Sequence, residues 1–290
     1  MFKIELKNKN GSFEIGGGSH STSRLESING IGLLNKEVQS VKYVGQAGRT
    51  QTSIRDNERT ITMSFNFYGD TKIVEQLYKI LYNEVDIIIT SGIKRKKITG
   101  QCLNATEIEK IIYHKWQKIA VQFVCNDPYF HDVDLITIPI AKRVDKFPNY
   151  QNNDGKWLIQ LPAVATERIA NSVIENRGEV AIYPIITLYN QSDIQSQTDL
   201  MFEIINNTTG AKILLDYSIS KNEIITVDLP HRKITSSVDG DITKYISDDT
   251  VLSDFNLVVG QNEISATVND TNTALSMTMQ YSNSYGAVVI

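Results

Sequence analysis

Four histidines, two cysteines and a few short polar runs are the parts of this 290-residue chain that could do chemistry. Ser19-His20-Ser21 sets hydroxyls beside a base, but adjacency along the chain says nothing of adjacency in space. The G-x-S-x-G turn that would expose a serine nucleophile does not occur. Gly16-Gly17-Gly18-Ser19 offers consecutive backbone N–H groups to an anion. No Lys-Ser/Thr pair follows at P-loop spacing, so it reads as a bent connection. His131-Asp132-Val133-Asp134 comes nearest to a metal-ligand group, while His114 and His231 stand alone. Zinc needs three or four ligands at short spacing or on matched strand ends, and these do not supply them. Acidic residues are plentiful, yet nothing selects two of them for glycosidic acid–base work. No catalytic, cofactor-binding or metal-binding residue is assigned.

Lys94-Arg95-Lys96-Lys97 is the single basic cluster, and following Gly92 it reads as a solvated turn ahead of a phosphate contact. Stacking on sugars favours exposed tryptophan, but Trp116 and Trp157 both precede the strand-rich series that begins after residue 176. Tyr183, Tyr189 and Tyr217 within that series read as core or rim. Cys102 and Cys125 are too few for a disulfide framework or a zinc site and read as free thiols. If the ladder holding them sums to about 227, the two cysteines face each other, a register that alkylation can test.

The elements that must position these residues follow from composition and period. With 41% hydrophobic and 21% charged residues the chain can build one large core or two ordinary ones. The net charge of -4 hides an asymmetry: residues 1–132 carry 18 Lys+Arg against 14 Asp+Glu, or +4, and residues 133–290 carry 11 against 19, or -8. Neither half has the basic footprint of a nucleic-acid-binding domain, whereas opposite signs suit end-to-end docking of like subunits. No apolar run is long enough to span a bilayer, and the alternating start lacks a signal-peptide core. The expectation is a chain made in the cytoplasm, with no membrane partner.

From 28 to 67 the pattern is β, clearest where Ile61, Met63, Phe65 and Phe67 alternate with Thr60, Thr62, Ser64 and Asn66. Residues 51–58 read as a loop. Asp70 is a good N-cap for one amphipathic helix over 71–82. A strand over 85–90 and a long hairpin, 97–109 and 116–125 with reversal near Tyr113, follow; Asp127-Pro128-Tyr129-Phe130 closes this unit. Beyond it come a strand over 134–141, a polar loop over 144–156, and strands over 156–161, 182–189, 200–205, 211–217, 223–229, 232–236, 262–268 and 275–281. Residues 246–255 have room for a helical turn or two. Spacing near ten residues with Asn-Arg-Gly, Asn-Thr-Thr-Gly and Gly-Gln-Asn between strands is a sandwich pattern.

The order of these features resembles the distal tail protein family of tailed bacteriophages with long non-contractile tails. The motifs are Ile28-Asn29-Gly30, Arg59-Thr60-Ile61, the helix, the hairpin and Cys125 to Phe130, then Asn176-Arg177-Gly178, Tyr183-Pro184, Asn207 to Gly210, Val227-Asp228 and Leu257 to Asn262. Each is a turn that any β protein could use; their order is what carries the resemblance. It implies a mainly β protein: an N-terminal β-rich, ring-forming domain with one α-helix, residues 1–132, and a C-terminal galectin-like β-sandwich, residues 133–290. It further implies a hexameric ring at the virion tail tip, joining the tail tube protein to the tail-associated hub protein and possible receptor-binding proteins. DNA would pass through the lumen without sequence-specific binding. True galectins use a His, Asn, Arg and Trp set that residues after 176 lack, so the sandwich is expected to dock proteins rather than sugars. The rival readings are a carbohydrate-binding adhesin, the equivalent part of a contractile tail or tail-like bacteriocin, and a cell-wall hydrolase, which would need a convergent site in a cleft.

Overall fold

The computed structural model describes residues 2–16, 23–68, 71–111, 116–145, 166–169, 171–190, 201–268 and 275–288. The chain divides into two compact units, Met1–Asp134 with Ser284–Ile290, and Leu135–Asn283. Residues after 283, grouped by the sequence reading with 133–290, thus pack in the first unit.

In the first unit the strands are β1 (Phe2–Asn8), β2 (Gly11–Gly16), β3 (Ser23–Asn29), β4 (Lys36–Val41), β5 (Thr50–Asp56) and β6 (Arg59–Tyr68); helix α1 (Thr71–Leu81) follows, then β7 (Glu84–Ser91), β8 (Lys94–Ile111), β9 (Trp116–Cys125) and β10 (Phe130–Asp132). An antiparallel sheet runs in the order β2-β1-β7-β8-β9-β6-β3. Its two ends meet where the Ser23 hydroxyl donates to the Glu14 carbonyl, so the sheet curls round its own apolar face. Strict alternation drives that curl: Ile61, Met63, Phe65 and Phe67 of β6 are buried, as are Ile119, Val121, Phe123 and Cys125 of β9. The Phe13, Phe65 and Phe67 rings pack tilted or edge to face with centroids 5.6 to 6.1 Å apart.

Helix α1 buries Leu77, Ile80 and Leu81 at helical spacing in the same core. Its last carbonyls lack intrahelical donors. The β1–β2 turn supplies them: Asn8 Nδ2 donates to Ile80 O at 2.8 Å and Asn10 Nδ2 to Lys79 O at 3.0 Å. The expected N-cap Asp70 lies outside the described residues.

The reading of 51–58 as a loop is corrected, because β5 pairs antiparallel with β4 in a separate two-stranded sheet. Nearly every residue of this hairpin is exposed on both faces, so no core-facing stripe marks it in the sequence. The basic cluster is also not a turn. The turn is Gly92-Ile93, and Lys94 to Lys97 begin β8, paired with Ser91 to Ile88 of β7.

The cysteine register is corrected as well. Near the reversal Ile111 faces Trp116, a sum of 227, but bulges at Glu107/Glu109 and Cys102/Asn104 each remove one residue. Cys102 therefore faces Phe123, and both thiols are free. Gly100 lies opposite Cys125, where an added Cβ would sit 2.7 Å from its Sγ.

The second unit contains β11 (Ile136–Asp145), β12 (Thr166–Ile169), β13 (Asn171–Asn176), β14 (Ile185–Asn190), β15 (Met201–Asn206), β16 (Ala211–Asp216), β17 (Ile224–Asp228), β18 (Lys233–Ser236), β19 (Gly240–Asp241), β20 (Gly260–Val268) and β21 (Leu275–Tyr281), with a 3₁₀ turn at Thr243–Tyr245. The sequence-expected strand over 156–161 falls outside the described residues. Two sheets, β12-β11-β21-β14-β17-β18-β19 and β13-β20-β15-β16, share one apolar core that includes Ile186, Leu188, Met277 and Met279 from the first and Phe202, Ile204, Ile213 and Ile264 from the second. This is a β-sandwich.

Of the turn asparagines named in the sequence, Asn176 and Asn262 are buried and Asn207 is exposed, its buried neighbour Asn206 taking the structural role. Asn206 Oδ1 accepts from Thr208 N at 3.0 Å while its Nδ2 donates to Asn256 O at 2.8 Å. Asn176 and Asn262 satisfy neighbouring turn backbone in the same way. The outer edge of β16 is closed by Thr250, whose Oγ1 accepts from Leu214 N at 2.8 Å, and by Ser247 N, which donates to Leu214 O at 3.1 Å. At Leu214 the edge is thereby closed to another strand.

Candidate functional site

The candidate chemical residues are placed separately. Ser19, His20, Ser21, His114 and Trp157 lie outside the described residues, as do Gly17 and Gly18. His231 is exposed, with Nδ1 2.9 Å from both Asp228 carboxylate oxygens. His131 and Asp132 do not converge on a common point. His131 Nε2 is 2.8 Å from Asp127 Oδ2 and its Nδ1 is 3.0 Å from Ser284 Oγ. Asp132 Oδ1 takes Lys96 Nζ at 2.5 Å, and its Oδ2 accepts from the Tyr285 hydroxyl at 3.3 Å. Asp134 is exposed.

The Ser284, His131 and Asp127 contacts have the connectivity of a nucleophile–base–acid relay. Ser284 is 3% exposed, so its hydroxyl cannot meet a substrate. Its hydrogen bond instead fastens strand β22 (Ser284–Tyr285), which pairs antiparallel with β10. Burial pulls the Asp127 carboxyl up, but the His131 hydrogen bond and charge and the Tyr129 N–H together hold it below the usual carboxylate value. Half of the basic run is also paired, Lys96 within this cluster and Lys97 outside it. Lys96 Nζ sits 3.2 Å from the Tyr285 ring centroid besides its ion pair, and Lys97 Nζ lies 3.7 Å from Asp86 Oδ2.

Beside this cluster is a socket that single-residue motif reading missed. Arg59 starts β6 in phase with Ile61, Met63, Phe65 and Phe67, so alternation turns it inward, and it is 4% exposed. Every hydrogen bond described for its guanidinium goes to a backbone carbonyl. Nε donates to Pro128 O at 2.6 Å, Nη1 to Gly30 O at 2.5 Å and Gly32 O at 2.8 Å, and Nη2 to Gly286 O at 2.6 Å. The Phe130 ring lies 4.7 Å away as a cation–π partner. Burial lowers the guanidinium pKa, but arginine keeps its proton in proteins.

The socket holds the root of the β4–β5 hairpin. Gly30 and Gly32 precede β4, and Val288 N donates to Ile31 O at 2.9 Å. At the other root Asn57 N donates to Asn35 O at 3.3 Å, and the Tyr129 hydroxyl donates to Asp56. From this fixed base extends a hairpin whose Val38, Val41, Tyr43, Val44 and Ile54, with Leu33 before it, are all exposed. A lone two-stranded hairpin is marginal in water, and an exposed apolar patch of this kind marks an interaction surface.

In the second unit the buried acid is Glu223, fully inaccessible, accepting from the Tyr217 hydroxyl at 2.8 Å, Ser220 N at 2.5 Å and the Ser236 hydroxyl. A carboxylate so satisfied is a structural pin. Burial, together with the Asp239 hydrogen bond, drives the Tyr217 phenol pKa upward.

Residues 177–285 match a family model described as the siphovirus-type tail component, C-terminal domain. No curated protein sequence matches the chain. Among solved structures, the Dit protein of phage SPP1, described as a paradigm of the hub adsorption apparatus in phages infecting Gram-positive bacteria, is similar with a TM-score of 0.62. The identity is 14%, over 97% of this chain and 99% of that one. A chain of the phage P2 baseplate in its activated conformation with Ca gives a TM-score of 0.56 at 9% identity over 99% of each chain. The same baseplate with Sr gives 0.56 at 9%, over 97% and 98%. Residues 177–285 thus match a siphovirus-type tail component C-terminal domain, in a chain whose fold is similar to that of the Dit protein over nearly its whole length.

Proposed function

We propose that the protein is a structural component of the phage tail tip, a baseplate hub whose first units close into a hexameric ring between the tail tube and the host-binding apparatus. The observation that carries this reading is the exposed apolar β4–β5 hairpin on a chain similar over 97% of its length to a hub protein. A ring requires heterologous contacts, one face of a subunit meeting a different face of the next. A protruding arm with Val38, Val41, Tyr43, Val44 and Ile54 supplies one such face. At about 1.5–3 kcal/mol for each aliphatic side chain fully buried, the arm can contribute several kcal/mol per contact. The role needs affinity and geometry and no bond-making step. The second unit, read as galectin-like, serves as a docking platform for other tip proteins.

Light scattering after size exclusion, over a wide concentration range and with the tail tube protein added, tests the reading. A mass six times that of one chain is expected, and Val38→Glu with Ile54→Glu should abolish it. A monomer under every condition that binds glycans would replace the hub by an adhesin.

A further inference from the structure

We propose that the return segment Ser284–Val288 is an assembly strap, a stretch of chain made after the second unit that completes the first and fixes the root of its arm. This inference rests on the hub reading for the arm's role, but the strap's physical effect can be judged without it.

The first unit is discontinuous in sequence. Residues 1–134 are synthesised before the second unit, and Ser284–Ile290 join them only after 149 further residues, Leu135–Asn283, have been made. The return is held by contacts of several kinds. Strand β22 pairs with β10 through Tyr285 opposite Phe130 and Ser284 opposite His131. Ser284 Oγ meets His131 at 3.0 Å, the Tyr285 hydroxyl meets Asp132 at 3.3 Å, and Lys96 covers the Tyr285 ring. Gly286 O takes one edge of the buried Arg59 guanidinium, and Val288 N reaches Ile31 O.

The last two contacts matter most, since both end at the arm root. Arg59 binds Gly30 O, Gly32 O, Pro128 O and Gly286 O at once. Without the return segment one edge of a buried cation has lost its acceptor and Ile31 has lost a donor. A buried charge cannot be left unpaired cheaply, so the socket opens and the Gly30–Gly32 root is released. An arm on a loose root loses the pre-organisation that limits the entropy cost of docking. Chains still being synthesised would therefore carry an arm unfit for ring contacts, which holds assembly back until the second unit exists.

The test compares the protein with a form ending at Asn283 and with a Ser284→Ala, Tyr285→Ala double variant. Hydrogen exchange across residues 30–58 and oligomer mass are the readouts. The expected result in both variants is exchange faster by about tenfold or more in 30–58, unchanged protection in 171–190 and 201–268, and loss of the assembled mass. Unchanged exchange in 30–58 overturns the strap. If the shortened form loses protection in both units, the double variant decides, since it keeps the backbone intact. If the unaltered protein forms no ring even with the tail tube protein added and binds glycans, the hub reading fails while the exchange comparison still settles the strap.

Discussion

Replacing Arg59 by methionine keeps the length and apolar stem of the side chain and removes all of its donors. Four carbonyls, of Gly30, Gly32, Pro128 and Gly286, now held at 2.5 to 2.8 Å, would face an apolar group. Gly30 and Gly32 are exposed, so water replaces the bonds they lose, while the half-buried Pro128 and Gly286 acceptors cost about 1–3 kcal/mol each, a gross loss of about 2–6 kcal/mol. Relief from the desolvation of a buried cation returns several kcal/mol of this. Losing the Phe130 contact subtracts about 0.5–2 kcal/mol. The net expectation is about 1–3 kcal/mol, which raises the unfolded fraction of the first unit by about 5- to 150-fold. Arg59→Lys should cost less, because a compact ammonium keeps the charge but cannot span four carbonyls in one plane. A two-unit protein has no single unfolding free energy, so the assay is native-state hydrogen exchange, with β6 and β9 reporting on the first unit and β14 and β21 as internal control. A loss below about 1 kcal/mol in Arg59→Met, or an equal loss in both units, would refute the socket.

Gly30→Ala should destabilise the same unit by at least about 2 kcal/mol: φ is +89° and the new Cβ would lie 2.1 Å from Thr60 O, a backbone atom. Thermal melting of purified variant and parent checks this. Iodoacetamide under non-reducing conditions should label both cysteines after unfolding and spare Cys125 when folded, since burial pushes its thiol to about 11; a mass showing no label on the unfolded chain would mean a disulfide. Glu223→Leu should cost the second unit about 2–6 kcal/mol by leaving Ser220 N and the Ser236 hydroxyl without their acceptor, while the Tyr217 hydroxyl keeps Asp239, as read by urea titration. Asp127 has a folded pKa below its unfolded value of about 4, so its contribution is present above that pH and lost as pH falls through the folded value. Asp127→Asn should therefore flatten the acid limb of first-unit stability below about pH 4; an unchanged limb would remove Asp127 from the account.

Strands that bury one face were legible because alternation and burial are the same fact. Residues 59–67 and 116–125 read correctly for this reason, as did the helix with Leu77, Ile80 and Leu81 on one side. Strand β5 did not, since Thr50–Asp56 meets no core and its pairing with β4 leaves no periodic trace. The N-terminal hairpin carried a usable signal: Phe2, Ile4 and Leu6 alternate with Lys3, Glu5 and Lys7, a period of 2 that was read only as the absence of a signal peptide. The cysteine register failed by a countable amount, two bulges and two residues. Composition has no term for a bulge; its trace is a change of phase, the core-facing residues of β8 passing from Ile98 and Cys102 to Ala105.

The weak motifs behind the family resemblance gain their meaning from one point in space. Gly30, Arg59, Pro128 and Phe130 are among the residues quoted for it, and three of them place a backbone carbonyl or an aromatic ring on the guanidinium of the fourth. Taken singly, a glycine turn, an arginine at a strand start and an Asp-Pro closure have local explanations. Together they describe a buried cation that must be solvated by backbone, which demands a positive-φ glycine at Gly30, a carbonyl not used in a ladder at Pro128 and an inward position in β6. Of the other two acceptors, Gly32 lies two residues beyond the quoted Gly30, whereas Gly286 lay beyond reach of such reading, being 227 residues from Arg59. A socket built from segments this far apart in sequence cannot be assembled piecemeal. Its order across the chain is therefore a better mark of the fold than any one of its residues.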